Sequence, residues 1–152
     1  MADLTARRNM PFDLDPLGRL LADEEDLALV NPNAQRPFDA REWSEKWLNE
    51  ADDASFYVVD ADGREVGFFA LRVGVGPEVR HLTYVFVEDS ARGGAGAEIA
   101  RLVEDAAREL GALSITLKVE LDNEPALNLY RSSGYEELAS RCGMATMRLD
   151  LE

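Results

Sequence analysis

Val85-Phe86-Val87-Glu88-Asp89-Ser90-Ala91-Arg92-Gly93-Gly94-Ala95-Gly96-Ala97-Glu98-Ile99 begins the stretch on which the fold turns, and that stretch continues to Leu110. An apolar strand end, Val85 to Val87, leads through a polar turn into a glycine-rich loop and then a helix. Ile99, Leu102, Val103, Ala106 and Leu110 recur at helical spacing and make one apolar stripe. Gly93, Gly94 and Gly96 stand where the loop becomes the helix. Small residues there let backbone N–H groups come close to a ligand. The first helical turn adds unpaired N–H groups and the positive end of the dipole. Phosphate suits such a place. A plain tight turn accounts for the glycines about as well, so this unit gains its meaning from the next segment of the chain.

After Leu110-Gly111 comes a second apolar strand, Leu113 to Val119. It is followed by Asn123-Glu124-Pro125-Ala126-Leu127-Asn128-Leu129-Tyr130-Arg131-Ser132-Ser133-Gly134-Tyr135. Together the two segments resemble the acetyl-CoA-binding core of the GNAT superfamily of N-acetyltransferases. That family's loop has the form Arg/Gln-x-x-Gly-x-Gly/Ala. Its later segment has Asn, Ala three residues on, then Leu-Tyr, then Gly with Phe or Tyr. Asn123, Ala126, Leu129-Tyr130 and Gly134-Tyr135 match the later segment throughout. The loop departs from the pattern. With Arg92 as the family's arginine, Ala95 takes the first glycine position and Ala97 the second. With the helix stripe setting the register, Gly94 and Gly96 are the two glycines and Ala91 replaces the arginine. Both registers stay open. The resemblance covers residues 55 to 150 well and the first 50 loosely.

The resemblance implies acetyl transfer to a primary amine by direct attack in a ternary complex. Acetyl-CoA is the co-substrate it implies, with its pyrophosphate on Arg92, Gly93, Gly94, Ala95, Gly96 and Ala97. The pantetheine arm would pair with the backbone of Phe86, Val87 and Glu88, and the Val87 N–H would face the oxyanion. Asn123 implies a cofactor contact, and it also suits a helix N-cap. Tyr130 matches the general acid, since a phenol near its ordinary pKa of about 10 stays protonated at neutral pH. Packing on the Ala126-Leu129-Tyr130 face is its structural alternative. Some family members carry a glutamate six residues before the valine matched by Val87, and His81 holds that place here. A pKa near 6.5 suits histidine to take a proton from an ammonium. Glu88, Tyr84 and a water relay are open alternatives. The competing functional reading is a non-catalytic module of this fold that binds acyl-CoA or a protein partner.

Thirty acidic residues against 16 basic ones give a formal net charge of −14. That balance speaks against nucleic acid, which needs a cationic footprint. It agrees with an amine acceptor, whether a small molecule or a protein amine. Cys142 is the only cysteine and His81 the only histidine. No internal disulfide can form, no metal cluster is expected, and Cys142 reads as a small packing residue. The N-terminus lacks a signal-peptide core and no apolar run reaches membrane length. The expectation is a cytoplasmic protein with no membrane partner. Dimerisation is common in the family, which leaves a homodimer open.

Elsewhere the chain supplies the frame. Asp15-Pro16 opens a helix carrying Leu17, Leu20 and Leu21. Asp39 with Glu42 resembles a capping box for a second helix, with Trp43 and Trp47 on one face. These tryptophans read as core, with pocket lining as the alternative. Strands come next at 55–60, 65–73 and 79–87, then a helix at 98–110, a strand at 113–119, a helix at 125–133, and a final hairpin at 135–141 and 144–150. The expected fold is α/β (α+β in some schemes), a GNAT-like mixed, mostly antiparallel sheet flanked by helices on both faces. One domain covers residues 1–152, with residues 1–12 a flexible tail.

Overall fold

The computed structural model describes residues 3–74, 76, 78–88 and 96–151. In chain order the elements are β1 (Thr5–Arg8), α1 (Asp15–Leu20), α2 (Glu24–Val30), α3 (Ala40–Glu42) with a π-helical turn over Trp43–Trp47, β2 (Ala54–Val59) and β3 (Glu65–Val73). Next come β4 (Val79–Val87), α4 (Gly96–Glu109), β5 (Ser114–Glu120), α5 (Glu124–Ser132), β6 (Glu136–Arg141) and β7 (Met144–Asp150). Among the described residues seven strands hydrogen-bond in the order β1-β2-β3-β4-β5-β7-β6. The expected mixed, mostly antiparallel sheet with helices is therefore present. Its parallel pair joins β4 to β5 through α4, as the sequence predicts, with Val79 opposite Ser114 and His81 opposite Thr116.

The N-terminal expectation needs correcting. Residues 1–12 read as a tail, yet Thr5–Arg8 pairs antiparallel with β2, Thr5 opposite Val59 and Arg8 opposite Phe56. Thr-Ala-Arg-Arg is too short and too charged to announce a strand. Its ladder partner supplies the stability, and Asn9 continues it by donating to the Ser55 carbonyl at 2.8 Å. Chain contacts define two compact units, Met1–Ala70 with Tyr84–Arg92, and Leu71–Thr83 with Gly93–Glu152.

In the first unit, β2 is buried along its whole length, the mark of a strand covered on both faces. Its Tyr57 and Val59 join a core cluster with Leu17, Leu20, Leu21 and Leu27 from the short helices and with Trp43, Phe68 and Phe86. Asp23 caps α2 by accepting from the Glu25 and Asp26 N–H groups, so the acidic residues Asp23 to Asp26 open this helix. Asp39 caps α3, but the capping box is incomplete. The Glu42 carboxylate instead accepts from the Gln35 N–H at 3.0 and 3.1 Å.

In the second unit, α4 buries Ile99, Ala100, Val103, Ala106 and Ala107, close to the stripe read from the sequence. On β5, Ile115, Leu117 and Val119 are buried, while Thr116 is half-buried and Lys118 and Glu120 are exposed. This is the alternation of a sheet with one open face. Strand β6 is exposed throughout. Cys142 corrects another expectation: it is exposed and sits at φ 55 beside Gly143 at φ 77, between β6 and β7. Two left-handed residues in a two-residue hairpin match the twist of the flanking strands. Cys142 serves a turn, not the core.

Candidate active site

The end of β4 lies in the first unit. Tyr84 interrupts the extended backbone with φ 56, a region that bulky L-residues rarely occupy. Its ring meets Trp43 edge-on at 5.1 Å, and Trp43 in turn stacks on Phe38 at 5.6 Å. Beyond it the Phe86 carbonyl approaches β3 so closely that a Cβ on Gly67 would lie 2.7 Å from the oxygen. Gly67 is therefore a glycine because of the backbone facing it. The Glu88 N–H donates to the Val66 carbonyl at 2.9 Å, so strand alternation turns the Val87 N–H away from β3. The Glu88 carboxylate forms an ion pair with Arg64. Of the alternative bases, Glu88 is thus held by an arginine and Tyr84 is packed against the aromatic cluster.

Trp43 is fully buried, as the core reading of the tryptophans expects, and Trp47 is half-buried against the same cluster. Both indole N–H groups are buried without a hydrogen-bond partner among the described residues. The Leu48 N–H reaches back five residues to the Trp43 carbonyl, the wider spacing of a π-turn.

The second unit holds His81, Asn123, Tyr130 and the start of α4. Arg92, Gly93, Gly94 and Ala95 lie outside the described residues, and the choice of loop register lies there with them. Gly96 is the first residue of α4 and Ala97 is exposed. A Cβ on Gly96 would come within 3.3 Å of the Leu129 side chain, which gives this glycine a packing role between α4 and α5. Asn123 is the N-cap of α5, accepting from the Ala126 N–H at 3.3 Å. The far end of α5 closes by backbone bonds: the Gly134 N–H donates to the Arg131 carbonyl and the Tyr135 N–H to the Tyr130 carbonyl. Gly134 sits at φ 100. These bonds and the left-handed residue form a Schellman end. It folds the Tyr135 ring edge-on to Tyr130 at 5.4 Å.

Tyr130 is half-buried, and burial pushes its phenol above the ordinary value. Its hydroxyl has no hydrogen-bond partner among the described residues. His81 is half-buried on β4, with Nδ1 2.9 Å from Thr116 Oγ1. Its pKa is lowered first by burial, then by the Lys118 and Arg72 cations. Sequence reasoning named His81 and Tyr130 but missed Thr116. Only the register between β4 and β5 brings residue 116 opposite 81, and no local pattern encodes a parallel register. Among the described residues there is no group of three or more His, Cys, Asp or Glu able to hold a metal. Nor is any helix there long and apolar enough to cross a membrane.

Residues 19–135 match the model of the acetyltransferase (GNAT) family. The chain is 30% identical over 101 residues to an uncharacterized N-acetyltransferase of Methanocaldococcus jannaschii, covering 62% of this chain and 45% of that protein. It is 37% identical over 97 residues to a mycothiol acetyltransferase of Clavibacter sepedonicus, covering 63% and 31%. The chain thus spans less than half the length of these relatives. Its fold is like that of spermidine N-acetyltransferase from Vibrio cholerae, solved in complex with CoA and spermine. There the TM-score is 0.76 at 18% identity, covering 97% of this chain and 95% of that one.

Proposed function

We propose that this chain, which belongs to the acetyltransferase (GNAT) family, transfers an acetyl group from acetyl-CoA to a primary amine by direct attack in a ternary complex. The observation that carries the reading is Tyr130. Its phenol is kept protonated by burial, and its hydroxyl is committed to no other group among the described residues. Asn123 and the Schellman end fix both ends of the helix that carries it.

Acetyl-CoA supplies the activated thioester. His81, neutral at pH 7, takes a proton from the acceptor ammonium and leaves a lone pair on nitrogen. That nitrogen bonds to the acetyl carbon, the carbonyl electrons move onto oxygen, and the Val87 N–H donates to the resulting oxyanion. As the C–S bond breaks, the nitrogen loses its second proton to solvent and Tyr130 gives its phenol proton to the departing sulfur. Exchange with solvent restores both side chains. The start of α4 and the loop before it bind the pyrophosphate, where helix N–H groups favour an anion.

The acceptor class proposed is an amine, small or protein-borne, in keeping with the spermidine, mycothiol and streptothricin acetyltransferases among the similar proteins. Calorimetric titration with CoA and with acetyl-CoA tests the first requirement. Binding of both is expected, and no binding of either at millimolar concentration would sink the enzyme reading. Thiol release across a panel of amines then identifies the acceptor.

A further inference from the structure

We propose that Thr116 is a positioning residue for His81: its hydroxyl accepts the imidazole Nδ1–H and so holds the lone pair on Nε2. The inference deepens the base role proposed for His81 and rests on that role for its catalytic meaning. Its geometry is independent of it. Parallel pairing puts residue 116 directly across from residue 81, and Nδ1 lies 2.9 Å from Oγ1. That distance is an ordinary hydrogen bond. Threonine is branched at Cβ and stiff about χ1, so the strand itself fixes where the oxygen sits. Both side chains are half-buried, which limits competition from water.

The other charged groups near the ring strengthen the case. Lys118 lies two residues further along β5, on the same face as Thr116. Arg72 is on β3, two residues before Gly74, whose N–H bonds the Val79 carbonyl of β4. Both are cations and donors only, so neither can accept a proton from Nδ1. The hydroxyl can accept from Nδ1–H or donate to a bare Nδ1; the inference is the accepting sense, which leaves the Nε2 lone pair free to take a proton. The hydroxyl's chemistry differs from that of the carboxylate that orients a histidine in a Ser-His-Asp triad. An anion there stabilises the imidazolium, whereas a neutral hydroxyl orients the ring without adding charge. Thr116 therefore selects a nitrogen while the ring stays neutral, which is the state a base needs before it acts.

Because His81 is the only histidine, long-range proton–nitrogen NMR of the full chain labelled with 15N-histidine reads one ring without assignment. At pH 7.5 the wild type should show a protonated Nδ1 and an unprotonated Nε2. Thr116→Val should lose that preference, and Thr116→Ser should keep it. The kcat/KM of Thr116→Val should fall in proportion to the lost Nδ1–H tautomer, with acetyl-CoA affinity unchanged and activity recovered in Thr116→Ser. A wild-type ring protonated on Nε2, or the same tautomer in Thr116→Val, would overturn the inference. The wild-type spectrum decides alone if the valine variant does not fold. Full acetyl transfer by His81→Gln, with the spectra as expected, would strike the base role and leave Thr116's hold on the ring standing.

Discussion

Tyr57 and Tyr130 are one residue type put to opposite uses. Tyr57 stands in the first unit on β2, fully buried, and its hydroxyl is spent twice. It donates to the Asp13 carbonyl at 2.6 Å and accepts from the Leu17 N–H at 3.3 Å. Helix α1 lacks a side-chain cap of its own, so a phenol forty residues away satisfies one of its orphan first-turn donors. Tyr130 stands in the second unit on α5, and its hydroxyl has no partner among the described residues. Burial raises both phenols above the ordinary value, so protonation does not separate them. What separates them is whether the proton already has somewhere to go.

The largest expected effect tests the unspent hydroxyl. Tyr130→Phe should lower turnover by about a hundredfold while leaving acetyl-CoA affinity and the melting temperature close to wild type. Unchanged turnover with a lowered melting temperature would make Tyr130 another Tyr57. The converse comes next in size. Tyr57→Phe should cost about 1–3 kcal/mol of stability, measured by chemical denaturation, because the Asp13 carbonyl and the Leu17 N–H both lose a partner. Its turnover per folded molecule should be unaffected. A loss of turnover without a loss of stability would break the contrast from the other side.

The smallest effect concerns His81, a titrating group that extends the comparison to pH. Its native pKa is below the usual value of about 6.5 because burial and the neighbouring cations disfavour the imidazolium. Between about 6.5 and the native value, the unfolded chain binds a proton that the native state does not. Stability from this group is therefore present above about 6.5 and lost as pH falls through that window. Thermal melts from pH 7.5 downward should show this loss in the wild type and a shallower one in His81→Gln. A wild type that gains stability on acidification relative to that variant would reverse the sign. The acid limb of kcat/KM should follow the native group and so fall at a pH lower than an ordinary histidine's.

Much of this was legible in the sequence where chemistry is local. Strands β3, β4 and β7 have the residue bounds read from the pattern. The Asn123-to-Tyr135 segment announced both a helix and its cap. Non-local features were not legible. Thr5–Arg8 becomes a strand because β2 offers it a ladder, and Thr116 meets His81 because of a register fixed elsewhere. Gly67 looks like any strand glycine until the Phe86 carbonyl is found facing it. Gly134 read as a family signature, but its φ of 100 makes it a helix terminator as well.

Tyr84 has a consequence for how this sequence can drift. Its backbone, at φ 56, suits glycine and costs a bulky side chain about 1–3 kcal/mol. Its ring, 5.1 Å from Trp43, belongs to a core aromatic. Glycine at this position would relax the chain and empty the packing site. A β-branched residue would satisfy neither demand. The substitutions left open are the flat rings, each carrying the same backbone burden, so position 84 should explore few residue types however freely the exposed strand β6 varies.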